Sequence, residues 1–303
     1  MLFKDSKRLF MQRCLAKNLS DNTLTTYEYF FRSVERSLDS QGITEVQDIT
    51  PDVLRKYFID MCRINAGMTV EGYYVRFKTY LNFLFHEGHI PYNPIKSIDS
   101  PKVPKRLIPS FSSQEVHKML SAYDTNDFIG RRNYTILCLL LATGMRRSEF
   151  LSLTLLDVSL KNNFIRVIGK GDKERLIPIG KALAVVLKRY LQARQEYLKG
   201  YTDTPYLFIT KYRKQMCKET SNTIFRNLRI DLHLTGKRFS AHVWRHTFAK
   251  AFLLNGGDVF TLQELLGHSD VETTRVYVSL TDTEKAIQHR KFNPLDNHKW
   301  EYY

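Results

Sequence analysis

The stretch Ser240–Ser279 reads SAHVWRHTFAKAFLLNGGDVFTLQELLGHSDVETTRVYVS. Its apolar spacing predicts helices over about 240–254, 258–266 and 272–290. The same stretch carries His242, Arg245 and His246 on one short segment, then Gly267-His268, then Tyr277. A cation, imidazoles and a phenol together are what metal-free cleavage of a phosphodiester would need. A packed helical core would use the same segment without chemistry, so the rest of the chain has to decide.

The 303 residues suffice for two domains, and 43% hydrophobic with 13% aromatic content excludes a disordered chain. A net charge of +15 points to a polyanionic partner, most often nucleic acid. That charge is uneven: residues 1–100 carry 13 Lys and Arg against 12 Asp and Glu, whereas 159–238 carry 18 against 6. Cys14, Cys62, Cys138 and Cys217 form no C-x-x-C pair, which argues against structural zinc and a disulfide framework and for a reduced cytosolic compartment. MLFKDSKRLF lacks an apolar signal core and no apolar run approaches 18 residues, so no membrane association is expected.

The first hundred residues read as four helices with short connections. Asp5–Ala16 places Leu9, Phe10 and Leu15 on its apolar side. Ser20 or Asp21 caps a second helix with Leu24, Tyr27, Phe31, Val34 and Leu38 at helical spacing. Thr50-Pro51 opens a third, and residues 69–87 form a fourth, with Tyr73, Phe77, Tyr80, Leu81 and Leu84 inward. Arg76 and Lys78 on the fourth helix are candidate phosphate contacts. The stretch PYNPIKSIDSPKVPKRLIPS (91–110) has five prolines and marks a domain boundary. The expected division is 1–98, a linker over 99–110, and 111–303. Lys102, Lys105 and Arg106 make the linker basic, suited to lie along a DNA backbone.

Beyond it, Ser112–Glu115 is a capping box, and Asp127–Thr143 is a long apolar helix ending in Ala-Thr-Gly. Met145-Arg146-Arg147-Ser148-Glu149 follows directly. Strands at 164–168 and 175–179 flank Gly169-Lys170-Gly171-Asp172-Lys173-Glu174, a glycine-framed hairpin whose lysines could reach over a substrate, and a third strand is expected near 206–209. No P-loop pattern is present. The expected class is mainly α with a small β-sheet (α+β).

In order along the chain, ATGMRRSE, GKGDKE, HVWRH, LLGHSD and Tyr277 resemble the tyrosine recombinases, the family of phage and transposon integrases and Xer proteins. Each motif alone is weak. Six positions in order over about 130 residues are specific, and the two-part build of the chain agrees. The resemblance implies a core-type DNA-binding domain followed by a catalytic domain. It implies Tyr277 as nucleophile forming a 3′-phosphotyrosine, His242 as proton acceptor and His268 as a phosphate ligand. Arg146 and Arg245 would clamp the non-bridging oxygens, Lys170 would be the general acid, and Glu149 would orient the basic cluster. Lys173 would be a further DNA contact. Neither metal nor ATP is expected. The implied partners are double-stranded DNA with inverted-repeat core sites and further copies of the chain, a dimer on one site and a tetramer in synapsis. Residues 281–303 would dock on a neighbouring protomer, and accessory proteins stay open. The implied location is cytoplasmic, on the nucleoid.

Two other chemistries fit parts of the sequence. His242 and His246 stand at i and i+4, as on a zinc-binding helix, but Val243 replaces the glutamate of H-E-x-x-H and no third ligand is evident. A DNA-binding protein without catalysis would leave a gap among the six residues, and there is none. After the arginine the chain reads HTFAKAFLLNGGDVFTLQ where many Xer proteins read HSFATH. That departure, with a helical module beginning almost at Met1, favours integration and excision of a mobile element over dimer resolution.

Overall fold

A computed structural model describes residues 1–101, 109–169, 172–201, 204–234 and 239–267, with residues 284, 291 and 292. The chain divides into two compact units, Met1–Arg106 and Leu107–Tyr303. The first contains α1 (Phe3–Ala16), α2 (Asp21–Asp39), α3 (Pro51–Ile64) and α4 (Gly67–His86). Thr50 caps α3 by accepting from the Val53 amide, with Pro51 in the first turn where its missing N–H costs nothing. The core is aromatic: Phe10 meets Phe31, Tyr80 and Phe83 edge to face at centroid separations of 5.4–5.7 Å.

The inward face of α1 differs from the sequence expectation. Leu9 and Leu15 are exposed, and the buried line is Phe3, Ser6, Phe10 and Cys14. Ser6 is tolerated inside because its hydroxyl donates to Phe3 O and shares a hydrogen bond with Tyr80 Oη. A polar residue with a buried partner is invisible to an apolar count. The start of the proline-rich stretch also belongs to this unit: Pro94–Ser97 forms a short 3₁₀ helix, and Ile90 and Ile95 enter the core. Lys102, Lys105 and Arg106 lie outside the described residues.

The second unit begins with α5 (Ser113–Ser121), whose capping box is complete: Ser112 Oγ accepts from Glu115 N and Glu115 accepts from Ser112 N. Then come α6 (Phe128–Thr143), α7 (Arg147–Ser152), β1 (Val158–Ser159), β2 (Phe164–Ile168) and β3 (Glu174–Pro178). After them run α8 (Lys181–Leu198), α9 (Lys218–Asp231), α10 (Ala241–Leu254) and α11 (Val259–Leu266). The strands form one antiparallel sheet in the order β1-β2-β3. Buried Leu137 and Leu140 of α6, Leu187 and Tyr190 of α8, and Trp244 of α10 share its core with Ile165 and Ile177 of the sheet.

The third strand is Val158–Ser159, not the stretch near Tyr206–Ile209. Tyr206 and Ile209 make only isolated bridges, to Thr154 and Gln215. Leu207, Phe208 and Ile209 are nonetheless fully buried. A short apolar run reports burial, and strand pairing needs a partner edge that the sequence does not name. The helix expected over 272–290 lies outside the described residues apart from residue 284. Among the described residues no helix is long and apolar enough to cross a membrane.

Candidate active site

The site is built around the C-terminus of α11. A helix leaves its last carbonyls without internal partners and carries a partial negative charge there. Gly267 ends α11 in the left-handed region at φ 64°. Three arginines from three parts of the chain use the freed oxygens. Arg245 Nη2 donates to Leu266 O at 2.8 Å and Arg146 Nη1 to the same oxygen at 3.3 Å. Arg146 Nη2 donates to Gly267 O at 3.1 Å, and Arg175 Nε to Leu265 O at 2.8 Å. Arg146 and Arg245, 99 residues apart in sequence, thus share one acceptor.

Each arginine is aimed by local structure. Arg146 is the N-cap of α7, preceded by Gly144, which ends α6 at φ 57°. Gly144 O accepts from Arg245 Nη1 at 2.9 Å. A Cβ at Gly144 would run into the Phe248 ring, so this turn needs glycine for space as well as for its backbone angle. Arg245 is 3% exposed on α10, one turn beyond His242.

Glu149 holds two of these cations, Arg146 and Arg175, together. It is 3% exposed, yet accepts from Arg146 N at 2.6 Å and Arg146 Nη1 at 2.9 Å. Arg175 Nη1 and Nη2 add a two-pronged pair to its two oxygens, both at 2.9 Å. Burial pushes the Glu149 carboxyl upward, but the bonds and charges of Arg175, then of Arg146, outweigh it and hold the group below its ordinary value.

His242 lies one turn before Arg245 on α10. Its residue surface is exposed, while its Nε2 faces His246 Nε2 at 2.9 Å, so one ring donates and the other accepts. Lost hydration on that inner side, and secondarily the Arg245 charge, hold its pKa below the usual histidine value. Both effects favour the neutral ring, the form that can take a proton. His246 is buried and acts here as a hydrogen-bond partner, and Trp244 packs against Phe111 at 5.1 Å.

Of the sequence candidates, Arg146, Glu149, Arg245 and His242 converge. Lys170, His268 and Tyr277 lie outside the described residues; His268 directly follows Gly267 in sequence. Lys173 is exposed beside Asp172 in the hairpin, where Gly169 N donates to Lys173 O at 2.8 Å. Arg76 and Lys78 belong to the other unit; Lys78 is exposed and Arg76 lies over the Tyr73 ring at 5.9 Å. Arg147 is bonded to Asn222 at 3.0 Å. Among the described residues no group of three or more His, Cys, Asp or Glu could hold a metal. Arg175 is the member that sequence reasoning missed. Its signal was an arginine at an inward position of a strand, between Glu174 and Leu176, which both point out.

Residues 109–284 match the phage integrase family. Tyrosine recombinase XerD of Shewanella oneidensis is 32% identical over 282 residues, covering 92% of this chain and 93% of that protein. XerD of Listeria innocua is 31% identical over 287 residues, covering 92% and 94%. The Tn1549 transposon integrase in complex with transposon right end DNA has the same fold, with a TM-score of 0.77 at 20% identity over 97% of this chain and 100% of that one. A lambda integrase dimer bound to a COC′ core site gives 0.75 at 17% identity over 90% and 97%. The chain belongs to the phage integrase family, the tyrosine recombinases, which cut and rejoin DNA at specific sites.

Proposed function

We propose that this chain exchanges DNA strands between two short core sites through a covalent link to Tyr277. The observation that carries the reading is the pairing of Arg146 and Arg245 on the Leu266 carbonyl, with His242 one turn before Arg245 on α10. Two guanidiniums held this way match the non-bridging oxygens of one phosphodiester. Each donor aimed at charge developing in the transition state is worth about 10²–10³ in rate.

In the reaction, Tyr277 Oη attacks the phosphorus and its proton passes to His242. A phenol with a pKa of ~10 is about one part in a thousand ionised at neutral pH, so the acceptor matters. The bond from phosphorus to the 5′ oxygen breaks, and Lys170 supplies the proton to that oxygen. The product is a 3′-phosphotyrosine and a free 5′-hydroxyl. One phosphodiester is exchanged for another, so religation to a second 5′-hydroxyl needs no ATP and no metal. His268 holds a phosphate oxygen, and Glu149 orients the arginines.

The first unit would act as the core-type DNA-binding domain, with Arg76 and Lys78 on phosphates, and the linker residues Lys102, Lys105 and Arg106 along the backbone. The lambda integrase structure holds a dimer on DNA, which supports dimers on one site and, by extension, a tetramer in synapsis. Residues 281–303 would complete that assembly from a neighbouring copy. The relatives near 30% identity are XerD proteins, which favours a role in dimer resolution. Integration of a mobile element is the second reading, favoured by the sequence after Arg245.

A nicked duplex carrying a core site, selected from a randomised pool by binding to the chain, tests the reaction. The chain should become covalently joined to the DNA with EDTA present, and Tyr277→Phe should bind the duplex without joining it. Adduct formation by the Phe variant would remove Tyr277 as nucleophile.

A further inference from the structure

We propose that Arg175 is a positioning residue for strand cleavage, fixing Arg146 through Glu149 and tying both to the turn that leads into His268. This rests on the recombinase reading above.

The register of β2 and β3 places Arg175 opposite Val167, on the face shared with buried Ile177. Strand alternation calls for an apolar residue there. An inward guanidinium, 12% exposed, is tolerated only where acceptors replace its water. Arg175 finds three: Leu265 O and both oxygens of Glu149. It spends its Nε, Nη1 and Nη2 donors on them. The match requires a planar fork, which lysine cannot reproduce.

The consequence falls on Arg146. Glu149 Oε1 takes one bond from Arg146 Nη1 and one from Arg175 Nη1, and Oε2 is divided between Arg146 N and Arg175 Nη2. With Arg175 present, the carboxylate is split between two cations and fixed from two sides. Without it, Glu149 would be free to follow and neutralise Arg146 alone, which drains the positive charge a phosphate would meet. A second observation supports the link to the following turn. A Cβ at Gly267 would come within 3.0 Å of Arg175 Nη1, so the guanidinium lies against the backbone directly before His268. Arg175 therefore joins β3, five residues after Lys170 in sequence, to Arg146 and to the α11 terminus.

The test compares wild type, Arg175→Ala, Arg175→Lys, Glu149→Gln and the double variant R175A/E149Q on the selected nicked duplex. Equilibrium Kd for the duplex and single-turnover cleavage rate are measured for each. A misplacement of about 1 Å at a reacting centre costs on the order of 10² in rate. Arg175→Ala and Arg175→Lys should therefore slow cleavage roughly 10–100-fold while Kd stays nearly unchanged. The Arg175→Ala step should have little further effect in the Glu149→Gln background. A general loss of structure would weaken Kd alongside the rate. If Arg175→Ala does not fold, Arg175→Lys, which keeps the charge and stem, decides. Cleavage at the wild-type rate by Arg175→Lys, or multiplicative effects in the double variant, would overturn the proposal. Absence of any adduct in wild type would instead overturn the recombinase chemistry on which it depends.

Discussion

Replacing Glu149 by Gln keeps the shape of the side chain and removes its charge. One carboxylate oxygen becomes an NH₂ group, which must face a donor of Arg146 or Arg175, so donor meets donor in a site that is 3% exposed. Breaking a buried ion pair from one side costs about 3–5 kcal/mol. The Arg146 side chain is 35% exposed, so water screens its share; that of Arg175 is 12% exposed and carries most of the loss. The remaining amide oxygen still accepts. The lower end, about 3 kcal/mol, is therefore expected. For a unit of this size that lowers the melting temperature by roughly 6–12 °C, read by far-UV circular dichroism. The pH dependence has a definite sign. The folded pKa of Glu149 lies below its ordinary 4.5, because the arginines outweigh burial. Its stabilisation is thus fully present above the unfolded value and lost as pH falls through the folded one. The gap between wild type and Glu149→Gln should be widest at neutral pH and narrow in acid. Equal melting temperatures at pH 7, or a gap that widens in acid, would refute the reasoning.

Other predictions follow from the same geometry. Gly144→Ala should lower stability by about 2–4 kcal/mol, because it combines a left-handed backbone with a clash against Phe248; a melting temperature within 1 °C of wild type would contradict this. The rate of covalent joining should fall in acid with a midpoint below pH 6.5, the ordinary value from which burial and Arg245 depress His242. A midpoint above 6.5 would show that His242 is not the proton acceptor.

The helices were legible because their determinants are local. Thr50-Pro51, the Ser112–Glu115 box and Gly144 each fix an end within a few residues, and the structure uses all three. What sequence reading missed depends on partners distant in the chain. Ser6 is buried because Tyr80 receives it, and Val158–Ser159 is a strand because β2 offers an edge. The motifs likewise pointed to Arg146, Glu149, His242 and Arg245. They did not show that the acceptors holding the arginines would be main-chain carbonyls of α11, since any residue type supplies a carbonyl. Nor did they expose Arg175, which belongs to no recognised pattern and acts only through a register that places it inward. Its partner Leu265 is 90 residues away.

The central claim is that this chain joins DNA to itself at one phenol. Wild-type protein trapped on the nicked duplex, digested with trypsin and nuclease, can be examined by mass spectrometry for the residue that retains a nucleotide. The account predicts a single modified peptide containing Tyr277, linked through a 3′-phosphate. A nucleotide on any other residue, or a linkage to a 5′-phosphate, would contradict it.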